Sequence, residues 1–518
     1  MEVCDPCWTC RNRRIQCDQS GTPCAKCEKA GLECFDKRPF RWVKGVAIRG
    51  KMQGRSFEGK AGDSSSALKP VRSPVKKPRT PVSGETLHSA LQDPSTSHLD
   101  HVSKYYIDYC ESRCEAQENK HTDKMSDNER ICKLFIVYDS DKNPLRSLIP
   151  YGMKEPILQK AILALAARHH VNSGQPFHQL QAPTSPDLIN ANRDALLFKH
   201  QAMEALSRAL GNANSDSSKK DTTVASIFLL IFLDLLESGS DGWNFHLEGA
   251  KSLISSRRLM GDTGINDGPG QTIQEIRGFI AKQIHLIETL GATFLRPKLL
   301  SEFISADEED AQSQEAIEKS FLGCPEYLLK AIQFLSNERD TIAASKLDQA
   351  AIQTHIQDTT AMLSLIQNFD CYAWVSSLQT SSQSTPNKIS NLCTLSQAYK
   401  IGASIYGRRV LDALTDDVTL QDDLLSELLG LIDALKEDEA LFKCILWAIF
   451  VAGLECRTQA QRDFLVECLE KFWVATSCLN VVNAANILRD YWQQEDKLEV
   501  SSRWIFDIGR LGRDWLLI

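Results

Sequence analysis

Residues 7–34 read CWTCRNRRIQCDQSGTPCAKCEKAGLEC, with cysteines at 7, 10, 17, 24, 27 and 34. The spacing is C-x2-C-x6-C-x6-C-x2-C-x6-C, a three-cysteine unit used twice. A segment this short, residues 1–36, holds too little apolar surface to fold alone, so a metal has to supply its stability. Zinc takes four ligands in a tetrahedron. Two ions need eight ligand slots, and six thiolates fill them only if two sulfurs serve both ions. The internal repeat makes Cys7 and Cys24 the symmetric choice for those bridges. Each C-x2-C pair then wraps one ion, and the next six residues are long enough for a short helix that returns a third thiolate. Pro23, just before Cys24, fixes the turn between the halves.

Other cysteine chemistries fail on particular residues. A bacterial-type iron–sulfur run needs cysteine where Arg13 stands. RING and LIM arrangements need eight ligands, usually with histidine, and the first histidine is His88. A disulfide framework needs secretion and leaves Cys4 over; Cys4 reads as a bystander. The first half carries Arg11, Arg13 and Arg14, whereas the second carries Glu28, Lys29 and Glu33. That asymmetry selects the first half as the face for a polyanion.

With these residues in view, Cys7 to Cys34 resembles the binuclear zinc cluster domain of fungal regulators, the family of the yeast galactose activator. The resemblance implies two Zn2+ ions held by Cys7, Cys10, Cys17, Cys24, Cys27 and Cys34. It also implies that the helix after Cys10 enters the major groove of double-stranded DNA and reads a CGG-type triplet through a basic residue four positions on, here Arg14. The family more often has lysine there. Arginine suits the task, because its planar fork can donate to both O6 and N7 of guanine. Arg11 and Arg13 fit phosphate contacts, which position a helix without specifying sequence. A competing reading is a zinc-dependent adaptor that docks onto another protein and reads no DNA sequence.

The rest of the chain is organised around that head. It has 518 residues, 42% hydrophobic and 24% charged, ordinary for a soluble globular protein. The formal net charge is −8, but residues 1–80 hold 18 Lys plus Arg against 8 Asp plus Glu, so a basic head precedes an acidic body. Residues 37–98 read as a flexible basic linker, rich in Ser, Pro, Gly and Lys beyond about residue 54. Its first part places Arg38, Arg41 and Lys44 beside Phe40 and Trp42. These cations either follow the DNA backbone or pack against the body. Residues 69–79, KPVRSPVKKPR, resemble a nuclear localisation signal or form a solvated charge run; Ser73 and Thr80 each precede proline, where phosphorylation would reduce the local charge.

Beyond residue 99 the apolar periodicity is helical, with few alternating runs. It predicts helices over 155–171, 191–210, 222–236, 245–259, 272–290, 347–369, 395–413, 440–454 and 464–479, a large all-α body spanning 99–518. The fold class is therefore mainly α: a small two-zinc cysteine cluster with two short helices, a linker and a helical regulatory domain. Segments 143–150 and 161–170 are similar to the regulatory helical domain of many fungal zinc-cluster proteins. Residues 41–45, RWVKG, resemble the branch that includes acriflavine sensitivity control proteins.

Several function classes drop out. The start shows no charged n-region before an apolar run, so no secretory signal is expected, and the remaining cysteines read as small buried hydrophobes in a reducing compartment. The apolar run 225–233 ends at Asp234, too short to cross a membrane, and reads as a buried helix. No P-loop, dinucleotide fingerprint or nucleophile elbow appears, and His169 and His170 point to different helix faces with no ligand partner at i, i+4; the chain reads as no enzyme. Cys110 and Cys114 share a helix face and read as packing residues. The acidic runs 307–310 and 416–439 either recruit coregulators or, for the second, form an amphipathic surface helix. The expected role is a nuclear, sequence-specific regulator of transcription by RNA polymerase II, acting on a metabolic, secondary-metabolite or resistance gene set with the transcription machinery as partner. No heptad register persists between cluster and body, so either the body pairs two subunits into a homodimer or nothing does.

Overall fold

The computed structural model of the protein describes residues 7, 9–10, 15–18, 23–31, 34, 99–111, 131–140, 143–177, 185–211, 217–240, 242–258, 270–295, 317, 320–344, 348–378, 386–496, 504–508 and 513–518. The chain divides into two units, Met1–His88 and Ser89–Ile518. Among the described residues all regular structure is helical, and one isolated antiparallel bridge joins Ser240 to Trp515. No helix among them is long and apolar enough to cross a membrane. The linker, the basic run 69–79, Cys4, Cys114 and the acidic run 307–310 lie outside the described residues.

The body is built on helices that are apolar all round. Pro156–Ser173 starts on a proline, whose missing N–H costs nothing in the first turn. It buries Leu158, Ile162, Leu163 and Leu165 together with Ala161, Ala164, Ala166 and Ala167. Those alanines let the helices Pro186–Gly211 and Ser217–Glu237 pack closely against it. The run 225–233 lies inside Ser217–Glu237, with Phe228, Leu230, Ile231 and Phe232 buried on successive faces. Leu446–Glu455 buries all of its residues. The stretches 161–167, 225–233 and 446–455 of these helices have no solvent stripe and belong in an interior.

Amphipathic helices surround them. Asp422–Leu435 turns Leu425, Leu428, Ile432 and Leu435 into the core and carries Asp422 and Asp423 in its first turn, where the helix dipole favours negative charge. The amphipathic reading of 416–439 therefore accounts for these leucines. Caps set the helix starts: Thr458 and Gln461 form a reciprocal capping box, and the carboxylates of Asp348, Asp370 and Asp438 each accept from a backbone N–H three residues on.

Three expected helices, 191–210, 222–236 and 395–413, start earlier in the structure, at Pro186, Ser217 and Pro386, and two more differ from it. The segment 440–454 is two helices, Glu439–Phe442 and Leu446–Glu455. The Cys444 carbonyl between them accepts the Tyr399 hydroxyl at 2.6 Å, and the Lys443 ammonium donates to the Lys133 carbonyl, so tertiary partners replace the helical ladder. The segment 464–479 begins earlier, at Gln459, and stops at Thr476, because Ser477 turns left-handed with φ 50°. Leu479 then opens a further helix to Asp496. His101–Glu111, Pro144–Gly152, Glu326–Ala344 and Cys371–Ser377 add helices that the periodicity did not predict.

Buried polar clamps fix the packing. Arg409, on the helix Pro386–Thr415, donates through Nε to Glu455 at 2.7 Å and through Nη1 to Asp412 at 2.8 Å; Glu455 also accepts the Trp504 indole N–H at 2.8 Å. The neighbouring carboxylates hold the Arg409 guanidinium above its ordinary range against the opposing effect of burial. The segment 513–518 is drawn inward as well. The Asp514 carbonyl accepts the Trp243 indole N–H at 3.0 Å, Leu516 N–H donates to Gly239 at 2.7 Å, and Leu516 and Leu517 are buried. Gly239 sits at φ +65°, and a Cβ there would lie 2.5 Å from that of Asn480.

Two variants test this packing in denaturant unfolding of the full chain. Arg409→Met leaves Glu455 and Asp412 buried without their cation and is expected to cost about 3–5 kcal/mol. Gly239→Ala adds backbone strain to a clash and is expected to cost about 2 kcal/mol or more.

Candidate metal centre

The second C-x2-C pair is set by the short helix Ala25–Lys29, for which Cys24 is the N-cap. Its C-terminal exit is closed by Gly31, whose N–H donates to the Glu28 carbonyl at 3.0 Å with φ +61°, a backbone state that favours glycine. Lys26 Nζ donates to the Gln16 carbonyl at 2.6 Å, and the Ala25 N–H donates to Asp18 at 3.1 Å, so the residues on either side of Cys17 are tied to the second helix. Thr9 and Cys10 are helical in the first half.

The six sulfurs converge. Cys7, Cys10, Cys24 and Cys27 are buried, with Cys17 and Cys34 packed against them half-buried. Cys7 Sγ is 3.8 Å from the sulfurs of Cys24, Cys27 and Cys17, and Cys10 Sγ is 3.6 Å from Cys24 and 3.7 Å from Cys27. A disulfide would bring two sulfurs to about 2.05 Å. A zinc–sulfur bond of about 2.3 Å in a tetrahedron requires sulfurs about 3.8 Å apart. The sulfurs form two overlapping quartets, Cys7, Cys10, Cys17, Cys24 and Cys7, Cys24, Cys27, Cys34. The quartets share Cys7 and Cys24, the pair that symmetry singles out as bridges.

The electrostatics call for cations at the centre. Burial pushes the Cys10 thiol up to about 12, and it raises Cys27 as well. Cys7 moves the other way, because its sulfur accepts the Cys10 backbone N–H at 3.4 Å. Cys10, raised in this way, stays protonated at neutral pH unless a cation takes the proton's place. Dications seated in both quartets compensate the thiolate charge, so metal uptake has to release protons. All six predicted cysteines are thus brought together. Arg11, Arg13, Arg14, Arg38, Arg41 and Lys44 lie outside the described residues. The supporting contacts of Asp18 and Lys26 had no signal in the cysteine spacing.

The body offers no comparable metal group among the described residues. His169 accepts or donates at Nδ1 to the Tyr109 hydroxyl at 2.7 Å and is buried, as a core histidine would be. Cys110 is buried in the apolar core, and burial pushes the thiols of Cys444, Cys456, Cys468 and Cys478 up to about 12, which fits inert packing residues.

Comparison with known proteins joins the two units. Residues 5–42 match the fungal Zn(2)-Cys(6) binuclear cluster domain, and residues 128–518 match the fungal specific transcription factor domain. The chain belongs to the fungal specific transcription factor domain family. Two zinc ions are the cofactors of its cysteine head. The chain is 25% identical over 390 residues to the acriflavine sensitivity control protein acr-2 of Neurospora crassa, a match that covers 71% of this chain and 61% of that relative. It is 32% identical over 77 residues to the ustiloxin B cluster transcription factor ustR of Aspergillus flavus, 14% of this chain and 13% of the relative. It is 36% identical over 62 residues to the transcription factor phomR of Diaporthe leptostromiformis, 12% of this chain and 10% of the relative. The chain thus spans about three fifths of the first of these relatives and about a tenth of the others. No solved structure matches the chain.

The shared sulfurs make a ligand-by-ligand prediction. Cys24→Ser is expected to take zinc per chain from two to below one, whereas Cys17→Ser, which touches one quartet, should retain about one ion. Metal analysis of the purified full-length variants distinguishes the two. Zinc affinity should also fall as pH is lowered, because protons and zinc compete for the same sulfurs.

Proposed function

We propose that the protein is a nuclear, sequence-specific DNA-binding regulator of transcription by RNA polymerase II, in which residues 1–36 read DNA, residues 37–98 link and residues 99–518 regulate. The observation that carries this reading is the pair of sulfur quartets sharing Cys7 and Cys24 at the end of a chain whose body belongs to the fungal specific transcription factor domain family. Cys7, Cys10, Cys17, Cys24, Cys27 and Cys34 hold the two ions, with Cys7 and Cys24 bridging. The metal's role is structural: closed tetrahedral sites leave no open coordination position for a substrate. No catalytic role is assigned to the chain.

In this reading Arg14 donates to guanine O6 and N7 of a CGG-like triplet, and Arg11 and Arg13 hold phosphates. Arg38, Arg41 and Lys44 extend the phosphate track past the cluster. The acidic body repels DNA and leaves binding to the head, while its helices meet coregulators of the transcription machinery. The names of the relatives, an acriflavine sensitivity control protein and a ustiloxin B cluster transcription factor, favour a metabolic, secondary-metabolite or resistance gene set as the target.

Selection of the full-length protein against random duplex DNA, at stated salt, tests this. Arg14→Ala should keep two zincs yet lose about 1–3 kcal/mol of preference for the selected triplet. Arg11→Ala and Arg13→Ala should weaken binding to all sequences alike, each reducing the slope of log affinity against log salt by about 1. Two zincs with no enriched sequence would instead favour a head that docks onto protein.

A further inference from the structure

The helix Pro186–Gly211 has two apolar faces. Ala191, Ala195, Phe198, Ala202 and Leu206 are buried against the body. A second row, Ile189, Leu196, Met203 and Leu210, repeats every seven residues and is open to solvent at 50%, 54%, 38% and 54%. At 100° per residue that row drifts only about 20° per step, so it forms one nearly straight seam along a helix about 39 Å long. The buried face lies about 110° away around the helix, so the row does not belong to the core packing. Isolated exposed leucines need no explanation, but a regular seam of four does.

We propose that this seam is a self-association surface, on which the Pro186–Gly211 helix of a second copy of the chain packs antiparallel about a twofold axis. The charges beside the seam select both the partner and the direction. Arg193 and Glu204 stand on the same flank of the row and are exposed, each with only a loose partner in its own helix: Asp194 at 3.6 Å and Arg208 at 4.0 Å. An antiparallel twofold centred between Lys199 and His200 places Ile189 opposite Leu210 and Leu196 opposite Met203 of the partner copy. It also brings Arg193 to within about 3 Å, measured along the axis, of the level of Glu204 across the seam, twice by symmetry. A parallel pairing would put the Arg193 and Glu204 flanks of the two copies on opposite sides of the seam, where neither charge meets the other. Lys199, at the centre, has its ammonium already held by Glu237 and Asp234. An isologous patch therefore meets itself with opposite charges.

The contact strip is roughly 39 Å by 10 Å on each copy, about 800 Å² in total, below the range of stable interfaces and within that of transient ones, so the dimer is weak and depends on concentration. This pairing is independent of whether the head reads DNA, and its test uses no DNA. Sedimentation equilibrium of the full-length, zinc-loaded protein should show the mean mass rise from one chain toward two across roughly 1–100 µM. The double variant Leu196→Glu with Met203→Glu should stay monomeric over that range with an unchanged thermal melt, since both positions are exposed. Arg193→Glu should weaken the dimer several-fold, and Arg193→Glu combined with Glu204→Arg should restore it. The pairing is overturned by a monomeric parent, which would leave the seam to a different partner, by a dimer that survives the glutamates, or by a charge-reversed double that associates no better than Arg193→Glu alone.

Discussion

Eight coordination positions have to be met by six sulfurs, and that shortage shapes the head. Cys7 and Cys24 stand where both quartets overlap, each at the first position of a C-x2-C pair and each within 4 Å of several other sulfurs. Because both quartets draw on the same two sulfurs, neither quartet is complete within one half. The turn through Pro23, the cap at Cys24 and the left-handed exit at Gly31 have one common effect, which is to keep two short segments close enough to share ligands. A segment with so little apolar surface has no other core. Metal binding and folding of the head are one process.

The body solves the opposite problem. It has abundant apolar surface, and its internal polar groups have to be matched in pairs. Arg409 with Glu455 and Asp412, and Lys251 with Glu288, are opposite charges paired among buried side chains. Such clusters add little net stability compared with an apolar replacement, but they penalise any packing in which a partner is missing. Buried indole hydrogen bonds likewise join segments far apart in sequence, as when Trp504 donates to Glu455 and Trp243 donates to the Asp514 carbonyl. Arrangement within the all-α body is thereby specified more narrowly than hydrophobic periodicity alone would allow.

The legibility of each part follows from how local its chemistry is. The cysteine head could be read in detail, down to the two sulfurs that both quartets share, because ligand type and spacing are fixed by the ion. The all-α class and the buried helix around residues 225–233 could be read because burial leaves a periodic trace. The break at Lys443 to Ile445 could not, since its cause is the Tyr399 hydroxyl on the Cys444 carbonyl, a partner 45 residues away. Leucines at 425, 428 and 435 supported two readings until their burial separated them. Ile189, Leu196, Met203 and Leu210 were equally ambiguous, because the same periodicity marks a core face and an exposed seam. Charge asymmetry selects the half that carries the arginines at 11, 13 and 14, and the base-reading role of Arg14 rests on the family resemblance.

X-ray absorption at the zinc edge of the intact protein tests the shared-sulfur centre most directly. The account predicts two zincs per chain, each with a four-sulfur shell at about 2.3 Å and a second zinc as a near neighbour. A single zinc per chain, or a shell containing nitrogen or oxygen ligands, would contradict it.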